Sequence, residues 1–290
     1  MHWLSLKKIP LAELKQQLLS PSRQHSSFWA LLYSFTLKQA WASLFGGLLL
    51  GFIVLFHFVY PRDAWLSQND ALTLVAIAIQ VLMLAFKLET FKELRVILLF
   101  HLVGTVMELF KTSMGSWTYG AAGVLHIGAV PLFTGFMYGA VGSYMVRVYR
   151  GFHLRFSHYP PQWVNALVAL AIYVNFFTHH YVYDARWLIL AVIVLVYGRT
   201  TMYFRVRVSY LRMPLILSFF LVAFFIWIAE NVATYSGAWL YPNQLQGWHM
   251  VSAQKIVSWF LLMIISVALV TWVYPPHALS PRQQRRLNQA

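Results

Sequence analysis

Cysteine is absent from the sequence. That excludes disulfides, thiolate metal ligands and cysteine nucleophiles, and in a membrane-embedded fold, which needs no such staples, it says little about compartment. Charge is scarce as well: Asp, Glu, Lys and Arg make up 10% of the 290 residues, against about 25% in soluble globular domains. Acidic residues are the scarcest, 8 against 22 Lys and Arg, for a formal net charge of +14. Also missing are a phosphate-cradling glycine loop, a nucleotide-binding motif, an HExxH element and a Ser-His-Asp order, each of which would announce a particular chemistry.

What the chain has instead is apolar surface: 60% of its residues are hydrophobic and its mean hydropathy is +0.61. A bilayer-spanning helix needs roughly 20 mostly apolar residues. On that basis the sequence predicts eight spans, near 39–60, 70–86, 95–112, 121–146, 162–179, 182–198, 213–231 and 253–274. The second and sixth are short, and the basic residues decide in their favour. With eight spans, Lys7, Lys8, Lys15, Arg23 and Lys38 share one side with Lys87, Lys92, Arg95, Arg147, Arg150 and Arg155. Arg199, Arg205, Arg207, Arg212, Arg282, Arg285 and Arg286 join them, so 18 of the 22 basic residues lie on one face. The positive-inside bias makes that face cytoplasmic, with both termini inside. Because the charge flanks spans rather than forming a patch, nucleic acid is not an expected partner; membrane lipids are, and no oligomeric state is assigned.

The expected fold class is all-α, a polytopic helical bundle of the bacterial inner membrane. Residues 39–274 form its transmembrane domain, and 275–290 a basic cytoplasmic tail. In the first 38 residues, Trp3, Leu4, Leu6, Leu11, Leu14 and Leu18 recur at near-helical spacing among Lys and Gln, followed by an apolar stretch at 28–37. This reads as an interfacial amphipathic anchor. The first long apolar run comes too late for a secretory leader, and no cleavage is expected.

One pattern occurs twice. Glu108, Thr112, Gly115, Trp117 and Tyr119 obey E-x-x-x-T-x-x-G-x-W-x-Y, and so do Glu230, Thr234, Gly237, Trp239 and Tyr241, 122 residues later. Four predicted spans separate the copies, so both helices run the same way, as in parallel repeats related by an axis along the membrane normal. A 4 + 4 architecture is expected. Thr stands one turn after Glu on the same helical face, Gly can end the helix in a left-handed cap, and Trp and Tyr fall at the outer interface. Interfacial enrichment alone would account for the aromatic rings.

It does not account for the carboxyl groups. Glu108 and Glu230 are the acidic residues inside predicted spans, whereas Glu13, Asp63, Asp70, Glu89, Glu93 and Asp184 are expected in loops or the terminal segment. An intramembrane carboxyl costs on the order of 2.5–3.5 kcal/mol even on lenient scales and marks a functional site by default. Lys111, three residues after Glu108, is placed for an intrahelical ion pair, which makes Glu230 the stronger catalytic candidate.

Histidines gather on the same side. His57, His126, His179, His180 and His249 map near outer span ends, and His101 precedes Glu108 by two helical turns. Their spacing matches no metal site, so no metal or cofactor is predicted; His126 and His249 are carried as candidate catalytic partners of the glutamates. Trp117, Tyr119, Trp239, Tyr241, Thr112, Thr234 and Asn231 are candidates for binding substrate. Pro131 interrupts the fourth span, and Gly135, Gly139 and Gly142 follow at spacings suited to close helix packing.

Over Glu108–Tyr119, Val130–Tyr144 and Glu230–Pro242 the chain resembles the bacterial integral membrane proteins grouped as domain of unknown function 817, which implies a membrane fold and no activity. More distantly, an acid followed by G-x-W-x-Y is similar to motifs of membrane lycopene cyclases and carotenoid hydratases. That likeness implies carboxyl groups that protonate polyenes; the acidic element those cyclases carry after proline is missing, since Pro131 is followed by Leu-Phe-Thr. The function expected is a membrane-embedded enzyme using Glu230 and Glu108 as general acid on an isoprenoid-like or other lipid substrate. The alternatives are a proton-coupled transporter and a membrane scaffold.

Overall fold

A computed structural model describes residues 27–61, 63–120, 123–207 and 210–276. The expected N-terminal anchor, apart from its last residues, and almost all of the basic tail lie outside the described residues. Nine α-helices are present among the described residues. They are α1 (Phe28–Ala42), α2 (Leu44–Val59), α3 (Gln68–Ala85), α4 (Phe91–Ser113), α5 (Phe133–Gly151), α6 (Gln162–Thr178), α7 (Arg186–Tyr197), α8 (Leu215–Tyr235) and α9 (Lys255–Val273).

Helices α3, α8 and α9 are each long and apolar enough to cross a membrane. Together α1 and α2 make a fourth candidate, bent by 70° at Ser43, and α6 and α7 are apolar but shorter. Large apolar side chains point outward around the bundle, among them Leu102, Leu195, Phe225 and Trp272. That is the surface of a protein that associates with a membrane, where burying apolar groups inward has no advantage over facing lipid.

Local sequence sets the helix ends. Ser67 caps α3 by accepting from the Asp70 amide, and Thr90 with Glu93 forms a reciprocal capping box on α4. Both motif helices stop at a left-handed glycine, Gly115 at φ 67° and Gly237 at φ 73°. Here Gly115 N–H donates to Thr112 O and Ser116 N–H to Lys111 O; in the second copy Gly237 N–H donates to Thr234 O and Ala238 N–H to Ala233 O, all at 3.0 Å.

Helix α5 lies centrally, packed against α1 to α4 and α9. Its glycines make this possible: a Cβ on Gly135 would stand 2.5 Å from the His101 ring, and on Gly142 3.0 Å from Phe100. The fourth expected span begins later than its hydropathy suggests. Residues 126–131 form a hairpin, β1 (His126–Ile127) with β2 (Val130–Pro131), and the helix starts only at Phe133. Asp70 holds this hairpin to α3, its carboxylate accepting from the Val124 and Leu125 amides at 2.8 and 2.7 Å.

Two expectations need correction. The fold is mostly helical rather than all-α, because β3 (Arg155–Ser157), β4 (Thr201–Arg205) and β5 (Tyr210–Pro214) form an antiparallel sheet in order β3-β4-β5. Asp70 and Glu93 are also not loop carboxylates, since they sit in the first turns of α3 and α4; both, like the loop residue Glu89, are 4% exposed or less. Glu89 accepts from Gln80 at 2.6 Å and from Ser143, Arg147 lies 3.7 Å from it, and Arg150 pairs with Glu93. Buried charge is tolerated there because every carboxylate has a partner.

Candidate functional site

The two motif helices carry their carboxyl groups to one place. Glu108, on the last turns of α4, accepts from Trp117 Nε1 at 2.7 Å, Tyr119 Oη at 2.5 Å and Tyr138 Oη at 2.8 Å. Glu230, on α8, accepts from Tyr241 Oη at 2.5 Å and Trp259 Nε1 at 2.7 Å. Both carboxyls are buried, at 3% and 4% exposure. Each is therefore satisfied by aromatic donors, the arrangement that lets a charge-bearing group sit out of water.

The segments after the helices face each other. Thr118 and Leu240 exchange backbone hydrogen bonds at 2.9 Å in both directions. That antiparallel bridge sets Trp117 edge-on to Tyr241, with ring centroids 6.1 Å apart, and Lys255 Nζ lies 4.3 Å above the Tyr241 ring. Burial first, and the neighbouring carboxyl second, push the phenols of Tyr119 and Tyr241 well above their ordinary range. Both remain protonated donors at any physiological pH.

Glu108 and Glu230 open on a single cavity of about 810 Å³, walled mainly by apolar side chains of α1, α2, α5, α8 and α9. It extends from Trp117, Tyr119, Trp239 and Tyr241 at the carboxyl end to Phe156, Tyr159 and Thr271 at the other. Phe225 and Leu221 of α8 line it and are also exposed on the outer surface, at 66% and 38%.

A family model described as a protein of unknown function (DUF817) matches residues 31–267. The chain belongs to the DUF817 family. It is 44% identical over 206 residues to the uncharacterized protein YoaT of Bacillus subtilis (strain 168), an alignment covering 71% of this chain and 78% of that one. No solved structure matches. Neither the family model nor this relative shows the likeness to membrane lycopene cyclases expected from the motif residues. Every residue of the carboxyl site falls within the stretch that matches DUF817.

Other candidate residues sit apart from the DUF817 cavity. Thr112 Oγ1 donates to Glu108 O at 2.7 Å, and Thr234 Oγ1 accepts from Trp248 at 3.2 Å. Asn231 joins Trp227 O to the Val251 amide. These three brace the helix ends rather than line the cavity. His126 and His249 are exposed and outside its lining, with His126 Nδ1 2.7 Å from Gly128 O. Among the described residues no group of three or more His, Asp or Glu could hold a metal. The expected Glu108–Lys111 pair is replaced: Lys111 Nζ lies 3.3 and 2.8 Å from the Nε2 atoms of His179 and His180, and 4.4 Å above the Phe176 ring.

Sequence reasoning missed Tyr138 and Trp259. A signal existed: the two lie 30 and 29 residues after Glu108 and Glu230, each on the helix that follows its motif.

Proposed function

We propose that this DUF817 member is a multi-pass inner-membrane enzyme, with eight spans arranged as two parallel four-span repeats, that acts by acid chemistry on an isoprenoid-like lipid. One observation carries the reading: two buried carboxyls, each gripped by Trp and Tyr donors, open on one long apolar cavity. The duplicated architecture is supported by matching glycine caps, tyrosines 11 residues after each glutamate, and an aromatic donor 30 or 29 residues on.

The two glutamates suit different roles. Glu108 accepts from three donors and Glu230 from two; each set holds one indole, which can only donate, and phenols, which can also accept. Each added donor stabilises a carboxylate, so the set around Glu108 favours the anion more than the set around Glu230 does. Glu230 is thus placed to carry a proton, and environments that separate two carboxyls identify acid and anion. Proton transfer from Glu230 to a double bond uses the alkene π pair for the new C–H bond and leaves a carbocation. The Trp239 face and the Glu108 carboxylate stabilise that charge. Return of a neighbouring proton to Glu230 closes the cycle as an isomerisation or cyclisation. The test is expression in an isoprenoid-accumulating host. Lipid extracts should differ between the parent and Glu230→Gln, and identical extracts would sink the proposal.

The length of the cavity favours a second reading, proton-coupled carriage of an apolar solute between its two ends. Proteoliposomes separate the two: flux that depends on a proton gradient supports carriage, and its absence with altered lipids supports the enzyme.

A further inference from the structure

The β3-β4-β5 sheet stands between two cavities. Alternation along its strands sends Phe156, Met202 and Phe204 to the apolar cavity. The opposite face lines a second cavity of about 410 Å³ formed by Ser157, His158, Arg199, Thr201, Tyr203 and Arg212, with Met213 and Pro214 at the edge strand. Its character is reversed. Its lining includes the buried Ser157 and Tyr203 and the exposed Arg199, Arg212 and His158, and no carboxylate is among its lining residues. Arg155 and Arg212 flank Tyr203 in register on the neighbouring strands, which adds a third positive charge on that face. Guanidinium forks with hydroxyl donors recognise phosphoryl oxygens.

Met213 lines both cavities, and it lies on β5, an edge strand. Only the edge strand at Met213 stands between the two spaces there. We propose that the basic cavity holds the phosphoryl head of an amphiphile whose chain rounds the β5 edge at Met213 and enters the apolar cavity. This rests on reading that cavity as a lipid site. Helix α8 starts directly after β5 and carries Glu230 about 15 residues on, so head site and carboxyl are separated by roughly 22 Å at 1.5 Å per residue. A polyprenyl chain spans that distance; a short acyl group does not. The head lies on the basic, cytoplasmic face of the proposed topology and the reacting carbons at the far end.

The test uses the full chain in non-ionic detergent, with geranylgeranyl monophosphate, geranylgeraniol and inorganic phosphate as probes. The monophosphate should bind at least tenfold tighter than the alcohol at low salt. That ratio should fall below threefold in the Arg199→Gln/Arg212→Gln double variant, with binding of the alcohol unchanged, and recover in the Arg199→Lys/Arg212→Lys variant. Equal affinity for monophosphate and alcohol overturns the proposal, as does a ratio untouched by the glutamine pair. Inorganic phosphate binding as tightly as the amphiphile also overturns it. Glu230→Gln should preserve the ratio, so failure of the acid chemistry and failure of the head site give different results.

Discussion

An indole N–H donates and never accepts, whereas a phenol does both, and this difference decides which substitutions the buried glutamates tolerate. In Glu230→Gln the amide oxygen takes the Trp259 donor and the amide NH2 donates to Tyr241, so every polar group keeps a partner. Its stability in detergent should lie within about 1 kcal/mol of the parent, while Glu230→Leu, which strands an indole and a phenol, should cost about 3 kcal/mol or more. Denaturant titration followed by tryptophan fluorescence measures both. A Gln variant as unstable as the Leu variant would refute the donor assignment. A second residue-scale prediction concerns His153, in the loop after α5. Burial first, then the charges of Arg205, Lys38 and Arg155, pull its imidazole down to about 4. The folded protein thus favours neutral His153 while an unfolded histidine titrates near pH 6.5. This contribution to stability is fully present above about pH 6.5 and is lost as pH falls toward 4. His153→Asn suits the left-handed backbone at φ 50°. It should narrow the drop in Tm between pH 7.5 and 5, and an unchanged drop would assign the pH dependence elsewhere.

Helix contacts were partly legible in the sequence. Apolar runs located the helices, and the Gly135, Gly139 and Gly142 spacing pointed to the close approach of α5 that the structure contains. The sheet was not legible, because β3 pairs with β4 across more than 40 residues and its strands are short, charged and free of apolar alternation long enough to stand out. The glutamates stood out as charges in apolar helices. Tyr138 and Trp259 did not, since a tyrosine or tryptophan in a helix rich in both carries no local mark of its tertiary partner. Buried Glu93 was misplaced for the same reason: its partner Arg150 lies on another helix. Glycine substitutions test the packing element by element. Gly135→Ala drives a methyl against the His101 ring and should destabilise by about 1–3 kcal/mol. Gly47→Ala meets nothing within 4 Å and should be neutral or stabilising by up to about 1 kcal/mol, from helix propensity alone. Similar melting shifts for both would contradict the α4–α5 contact.

At the scale of the whole molecule, the missing cysteines are an experimental advantage: any thiol introduced is the only one. Tyr183, between α6 and α7, is 85% exposed, and Arg207, between β4 and β5, is exposed on the basic side of the chain. The proposed topology sets them on opposite membrane faces, because α7 alone separates Tyr183 from the sheet-forming segment that carries Arg207. In intact cells a membrane-impermeant maleimide should label Tyr183→Cys and leave Arg207→Cys unlabelled until the membrane is opened. The reverse pattern would invert the orientation drawn from the basic residues, and labelling of both would remove α7 as a span. The second result bears on the site as well. With α7 crossing, Glu108 and Glu230 end helices that run the same way and meet through the Thr118–Leu240 bridge at one face. Without it, an odd number of crossings would separate two helix ends that this backbone bridge holds side by side, and the duplicated motif would lose its parallel arrangement.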